Sequence, residues 1–216
     1  MKISPTLTEV KKIAKTGKYD ILPVSCEILS DFITPIEAMR ILQNVSTHCY
    51  LLESAQANEA WGRYTFLGYD PKLEINCIDG HMKLGKLSVE TENPSEYIRQ
   101  ILSEYKSPKF DYLPSFTGGL VGYFSYDYLG YKEKSIRGKA RDTEDFKDVD
   151  LMLFDKVIAF DNLCQKIILI ANMSLDAPET GYNKAIVELK QLRELLMHGE
   201  KKKNMGGKLL GDVTPL

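Results

Sequence analysis

The sequence predicts an α+β fold in which antiparallel β-sheet, built mainly from hairpins, is flanked by helices. Strand-like runs separated by turn residues recur along the 216-residue chain, and the strand–helix alternation that marks a parallel sheet is weak. Four other segments carry helical periodicity with recognisable starts or ends. The length suffices for one sizeable domain or two small ones with a buried core.

Two of the predicted helices have a capping residue followed by proline. Thr34 and Asn93 each precede a proline, and Glu37 and Glu96 stand three residues after them, which is the spacing of a capping box. Apolar side chains follow at helical intervals in both segments. We therefore expect short amphipathic helices to begin at these two positions.

The other two helices are predicted near the ends of the chain. Ser4 before Pro5 predicts a helix start, and Gly17 predicts its end. The last helix is expected over residues 178–198, where leucines recur at helical spacing, with Gly199 as its end.

Apolar and β-branched runs predict the strands. Asp79-Gly80 and Asp161-Asn162 predict hairpin turns, and Pro23 predicts a strand edge or a bulge. The expected strands are Ile21–Leu29, 50–54, Tyr64–Tyr69, Leu73–Ile78, His81–Leu84, 119–126, 151–160 and 164–171.

Composition and charge exclude several classes of protein. The apolar fraction of 44% with 27% charged residues is that of a globular chain, and 28 basic against 30 acidic residues give no general attraction for nucleic acid or anionic membrane. No run is long enough for a signal peptide or a membrane span, so the cytoplasm is the expected location. The four cysteines are too scattered for a metal cluster and are expected to be free thiols.

No known catalytic pattern is present, and neither the three histidines nor the acidic loop at 142–150 has the spacing of a metal site. The glycine-rich run "TGGLVGY" at 117–123 lacks the residues of a phosphate-binding loop. Close backbone packing at positions where only glycine fits is the better interpretation.

A candidate binding site lies at the end of one predicted strand. Glu53 and Ser54 follow the apolar run that starts at Cys49, and Arg63 stands at the head of the next run. A carboxylate, a hydroxyl and a cation could together hold both ends of a zwitterion such as an amino acid. The alternative from spacing alone is an ordinary strand end with a Glu–Arg surface pair.

Several motifs resemble one enzyme family. They are "TPIEAM" at 34–39, "LLESA" at 51–55, "GRYTFLG" at 62–68, "PSFTGGLVGYFSYD" at 114–127 and "DLMLFDKVIAFD" at 150–161. In this order they are similar to the N-terminal domain of anthranilate synthase component I, a chorismate-using enzyme, and the similarity extends over nearly the whole chain.

The resemblance implies a division of labour in the full-length enzyme, which converts chorismate and ammonia from glutamine into anthranilate and pyruvate. It assigns residues 1–199 to the regulatory, tryptophan-binding domain, half of a two-domain β-sandwich-like enzyme. Residues 200–216 would be a linker toward a C-terminal chorismate-binding catalytic domain that also holds Mg²⁺. A glutamine amidotransferase subunit, component II, is the implied protein partner. The chain is then expected to be a fragment that has no cofactor and is not catalytic by itself.

The resemblance also implies a tryptophan feedback site, with Ser54 as its leading residue. The positions that match the family's effector site are Leu52, Glu53, Ser54, Arg63, Tyr64 and Thr65.

Two alternatives remain open. The large subunit of aminodeoxychorismate synthase, which serves folate synthesis, shares this domain and forms close to these motifs. A free-standing amino-acid-binding regulator is the alternative from outside the enzyme class.

Overall fold

The computed structural model describes residues 1–53, 62–133, 135 and 146–202. In chain order the elements are β1 (Ile3–Ser4), α1 (Leu7–Ala14), β2 (Ile21–Leu29), α2 (Pro35–Val45), β3 (Cys49–Leu52), β4 (Tyr64–Tyr69), β5 (Leu73–Ile78), β6 (His81–Leu84), β7 (Leu87–Glu90), α3 (Pro94–Ser103), β8 (Gly119–Phe124), a 3-10 helix (Tyr126–Tyr131), β9 (Val149–Phe154), β10 (Lys156–Asp161), β11 (Lys166–Ser174) and α4 (Pro178–His198).

The strands form two sheets. One has six strands in the order β1-β2-β11-β10-β4-β3, and the other has five in the order β7-β6-β5-β9-β8. Every strand pair within the described residues is antiparallel. The predicted α+β class, with antiparallel hairpins and flanking helices, is confirmed.

Pro23 lies where β2 has a single neighbour. β1 pairs with β2 only at Ser25 and Cys26, whereas β11 pairs along the whole of β2, with Asn172 opposite Pro23. Because β1 does not extend as far as Pro23, the missing N–H of proline costs no ladder bond with β1. The predicted edge character of this position is confirmed.

The first helix begins two residues later than the sequence predicted. Thr6 is its N-cap: the Thr6 hydroxyl accepts from the Glu9 N–H, and the Glu9 carboxylate accepts from the Thr6 N–H at 2.7 Å. Ser4 instead belongs to β1, where it pairs with Ser25. A complete capping box satisfies two backbone donors at once, and it outweighs the Ser–Pro pattern.

The predicted capping box at Thr34 is confirmed, with the Glu37 N–H donating to the Thr34 hydroxyl at 3.2 Å. The helix after Asn93 also forms, but the Asn93 side chain bonds to the side chains of Ser95 and Glu96 and caps no backbone N–H. α4 has the predicted bounds, and the Gly199 N–H closes its last turn on the Leu195 carbonyl.

The predicted strand 151–160 is in fact two strands in different sheets. The chain bends at Asp155, so that β9 pairs with β5 and β8 while β10 pairs with β11 and β4. Asn172 holds this crossing, because its backbone N–H and its side-chain amide both donate to the Asp155 carbonyl. The hairpin turn predicted between β10 and β11 is confirmed.

The six-stranded sheet is covered on both faces. Along β11, Ile167, Leu169 and Ala171 join the cluster that packs against α1, α2 and α4. Ile168 and Ile170 point the other way and pack with Leu113, Phe110 and Phe116 from the irregular segment before β8. The five-stranded sheet has its own cluster, which α3 and the 3-10 helix cover.

A positive φ explains both glycines of β8, and backbone crowding adds to it at Gly122. A Cβ at Gly122 would collide with the carbonyl oxygen of Asp150 on the neighbouring strand, and φ is +151°. Gly119 has a similar φ of +139°, but its Cβ would meet only the Phe116 ring at 3.8 Å. The two positions therefore share an unusual backbone conformation and differ in the space around it.

This difference predicts unequal effects of alanine. Gly119→Ala is expected to cost about 1–3 kcal/mol of unfolding free energy, because alanine is strained at this φ. Gly122→Ala carries the same strain and is expected to cost about 1–3 kcal/mol more, because the Asp150 backbone must shift. Urea denaturation of the two variants measures the difference. Equal losses would contradict the collision at Gly122.

Candidate functional site

The candidate site lies at one end of the six-stranded sheet, where β3 ends and β4 begins. β3 is the edge strand, and its last residue, Leu52, pairs with Phe66 of β4. β4 pairs on its other side with β10, placing Tyr64 opposite Asp161. The antiparallel pairing therefore brings the end of β3, the start of β4 and the end of β10 to the same end of the sheet.

The end of β3 is exposed. Leu52 belongs to a strand, yet 45% of the residue's surface is exposed to solvent. Glu53 is exposed as well. β3 ends at Leu52 rather than at the predicted residue 54. Ser54, the leading residue of the predicted site, lies outside the described residues.

Arg63 is bound to a buried carboxylate. Its Nε donates to Asp161 Oδ1 at 3.1 Å and its Nη2 to Asp161 Oδ2 at 2.8 Å, which is the bidentate geometry that makes guanidinium–carboxylate pairs strong. The Asp161 side chain is fully buried, whereas that of Arg63 is 36% exposed. The sequence suggested a pair with Glu53, and the structure gives Arg63 a partner on β10 instead.

The Asp161 carboxylate is also anchored to the backbone. Its Oδ1 accepts from the N–H groups of Leu163 and Cys164, at 3.2 and 3.0 Å. Burial raises the pKa of the Asp161 carboxyl, but hydrogen bonds from Arg63 and Cys164 outweigh that effect and leave the pKa below its ordinary value of 3.8. Asp161 is therefore charged at neutral pH.

Asn162 makes a second connection between the turn and the start of β4. Its side-chain amide donates to the Thr65 hydroxyl at 3.3 Å and to the Gly62 carbonyl at 3.4 Å, and its backbone N–H donates to the Arg63 carbonyl at 2.8 Å. Thr65 is 1% exposed, so its hydroxyl faces the turn from inside the protein. We call residues 161–164 the β10–β11 turn. Its side chains and backbone form hydrogen bonds with residues 62, 63 and 65.

Tyr64 supplies an aromatic surface beside the guanidinium. The Arg63 Cζ lies 4.9 Å from the centroid of the Tyr64 ring, within the range of a cation–π contact. The ring of Phe66 follows at 5.8 Å from that of Tyr64. Half-burial raises the pKa of the Tyr64 hydroxyl, so that it stays protonated well above neutral pH.

The structure thus brings Arg63, Tyr64 and Thr65 together and places Leu52 on the neighbouring strand. Sequence reasoning missed Asp161 and Asn162 as members of this cluster, because it read them only as a hairpin turn. The one signal in the sequence was the Asp-Asn pair itself, since both side chains favour local hydrogen bonds in turns.

A cavity elsewhere contains none of the six predicted residues. It measures about 340 Å³ and lies between α1 and the segment that carries Phe110 and Tyr112. Among the described residues, no three His, Cys, Asp or Glu side chains form a cluster that could hold a metal ion. In the same part of the chain, no helix has both the length and the apolar character to cross a membrane.

Curated relatives match most of the chain. It is 34% identical over 198 residues to "Anthranilate synthase component 1" of Acetivibrio thermocellus, covering 89% of this chain and 39% of the relative. It is 35% identical over 196 residues to the protein of that name from Pseudomonas aeruginosa, covering 87% of this chain and 39% of the relative. "Anthranilate synthase alpha subunit 2, chloroplastic" of Oryza sativa subsp. japonica is 34% identical over 183 residues, covering 76% of this chain and 30% of the relative. The chain therefore spans 39% of the length of the two bacterial relatives.

A solved structure also matches. It is the crystal structure of anthranilate synthase component I from Streptococcus pneumoniae TIGR4, with a TM-score of 0.49 and 25% identity, covering 77% of this chain and 36% of that chain. No protein-family model matches the chain. The sequence relatives confirm the resemblance that the motifs indicated.

The bonds of Asp161 predict a pH-dependent contribution to stability. Asp161→Asn removes the charge of a buried, hydrogen-bonded carboxylate and is expected to cost about 2 kcal/mol of unfolding free energy at pH 7. The pKa of Asp161 is lower in the folded protein than its ordinary value of 3.8. The stabilisation is therefore fully present at pH values above 3.8, and it is lost as the pH falls through the folded-state pKa. Urea denaturation of both proteins from pH 7 to the lowest pH at which they fold measures it.

Asp70→Asn is the matched control at the opposite end of β4. Asp70 pairs with Lys156 at 2.8 Å, but its side chain is 66% exposed, so the loss is expected to stay below about 1 kcal/mol. An Asp161→Asn effect of the same size at every pH would contradict the ionic origin of the stabilisation.

Proposed function

We propose that this chain, which is related to anthranilate synthase component 1 along nearly all of its own length, is the N-terminal regulatory region of such an enzyme. Its activity would then be the conversion of chorismate and glutamine-derived ammonia into anthranilate and pyruvate, for tryptophan synthesis. The observation that carries the proposal is the identity of 34–35% across 87–89% of the chain to two bacterial proteins of that name.

Catalysis is proposed to belong to the other part of the protein, since the chain corresponds to 39% of those relatives. Any Mg²⁺ requirement is proposed to belong to the same part, as the resemblance implies. The expected partners are that chorismate-binding part and a glutamine amidotransferase, component II.

For this region we propose a share of a tryptophan feedback site at the junction of β3 and β4. Tryptophan is a zwitterion with a large aromatic side chain. Arg63 can take its carboxylate and Glu53 its ammonium group, while Leu52 and Tyr64 offer apolar and aromatic surface. Ser54 is proposed to supply a hydroxyl beside them. Thr65, being buried, is proposed to support the site through Asn162 rather than by contact.

The regulation is proposed to be a coupling between two sites. Tryptophan would inhibit only if it binds one arrangement of the regulatory and catalytic parts more tightly than the arrangement that turns over chorismate. Leu52 and Glu53 are exposed at the end of β3, and the rest of the protein is proposed to complete the site there.

The test is an assay of the complete gene product together with component II. Anthranilate, detected by its fluorescence, is the expected product from chorismate and glutamine, and added tryptophan is expected to inhibit its formation. Formation of aminodeoxychorismate instead would assign the chain to the folate enzyme. A gene that encodes no chorismate-binding part would favour the free-standing regulator.

Substitution of Ser54 tests the effector site within that assay. Ser54→Ala is expected to raise the tryptophan concentration for half-inhibition about tenfold, which corresponds to about 1.4 kcal/mol and to one lost hydrogen bond to a charged group. Ser54→Phe, which fills the same space, is expected to raise it further. The control is Ser88→Ala, on the exposed edge strand β7 of the other sheet. Unchanged inhibition in both Ser54 variants would contradict a contact there.

A further inference from the structure

We propose that Asp161 is a positioning residue of the effector site: it holds the Arg63 guanidinium in the orientation that receives the carboxylate of the amino-acid effector. The inference rests on the proposed function and extends it to a residue 98 positions away from Arg63 in the chain. Three structural features carry it: the geometry of the ion pair, the anchoring of Asp161 and the balance of charge at the site.

The ion pair fixes the guanidinium from one side. Arginine has five N–H donors in a plane, and the bonds from Nε and Nη2 to Asp161 engage the edge that those two nitrogens share. Nη1 lies in the same plane, at the corner of the guanidinium that is not part of the bonded edge. The Tyr64 ring, 4.9 Å from Cζ, restrains the guanidinium further. A side chain with several rotatable bonds is thereby restricted before any ligand binds.

Asp161 can impose this orientation because it is itself immobilised. Its side chain is fully buried and accepts two backbone N–H groups of the β10–β11 turn. Asn162 of that turn also donates to the start of β4, from its backbone N–H to the Arg63 carbonyl and from its side-chain amide to the Gly62 carbonyl. Arg63 is therefore anchored to the backbone of the β10–β11 hairpin, whose strands run through the centre of the six-stranded sheet.

Orientation and charge predict opposite effects on an anionic ligand. The carboxylate of Asp161 partly neutralises Arg63, so removing it would strengthen the attraction for an effector carboxylate if charge alone mattered. Asp161 also lowers the entropy that the arginine side chain loses on binding, which favours affinity. We infer that orientation dominates, because Arg63 is partly exposed and water screens its charge, whereas its side-chain freedom is unaffected by screening.

The experiment measures tryptophan inhibition of the complete enzyme with component II, in variants of this ion pair. Asp161→Asn keeps the shape of the side chain and removes its charge, and Asp161→Glu keeps the charge and adds a methylene. We expect the half-inhibiting tryptophan concentration to rise at least fivefold in Asp161→Asn and less in Asp161→Glu, because the longer carboxylate still pairs with Arg63. A residue that served only packing would give the reverse order.

Two further variants complete the set. Arg63→Lys keeps the cation but cannot make the bidentate pair, and it is expected to weaken inhibition even if Asp161→Asn fails to fold. Asp70→Asn removes the carboxylate of the Lys156 pair at the far end of β4 and is expected to leave inhibition unchanged.

The outcomes separate the inference from the proposed function. A wild-type enzyme that is insensitive to tryptophan would overturn both. A sensitive wild type with unchanged or stronger inhibition in Asp161→Asn would overturn the positioning role of Asp161 alone, as would Arg63→Lys with wild-type inhibition. Weaker inhibition in the order wild type, Asp161→Glu, Asp161→Asn would support it.

Discussion

The architecture depends on the β10–β11 hairpin, whose residues are apolar on both faces. Most of its side chains are buried, and burial of each large aliphatic side chain contributes about 1.5–3 kcal/mol. A sheet with one solvated face could not hold such strands. Helices must therefore cover one side of the six-stranded sheet, and on the other side the segment before β8 must do so. Both layers are consequences of this one requirement.

The same constraint connects the two sheets. β9 and β10 follow each other with only Asp155 between them, yet they belong to different sheets. Asn172, in the central strand β11, donates to the Asp155 carbonyl and also to the Thr117 carbonyl just before β8. A Cβ at Gly118 would lie 2.6 Å from the Asn172 amide nitrogen, which explains why the glycine run begins there. One partly buried amide thus connects the crossing, the central hairpin and the glycine-rich strand.

Local signals predicted the helices better than they predicted the strand ends. The capping box at Thr34 is complete within four residues, so the sequence contains all of it. The bend at Asp155 leaves no comparable trace, because the residues on both sides continue the apolar, β-branched pattern while the partner strands change. The candidate site shows the same limit. Leu52, Arg63 and Tyr64 belong to motifs that the sequence shows directly. The hydrogen-bond partners of Arg63 and Thr65, however, lie in a turn almost a hundred positions away. A pattern within one segment carries no information on such a pair.

The position of Asp161 has a consequence for how the proposed regulation could change by mutation. Because its carboxylate both stabilises the β10–β11 turn and holds Arg63, a substitution there is expected to alter stability and the proposed effector response together. Leu52 and Glu53 are exposed at the end of an edge strand, where substitutions usually change stability by less than about 0.5 kcal/mol. A marginally stable protein could therefore lose the proposed feedback by substitution of Leu52 or Glu53 and still fold. Losing it by substitution of Asp161 would require a protein with a larger free energy of unfolding. The chemistry of the site and the packing of the central hairpin meet at this one side chain.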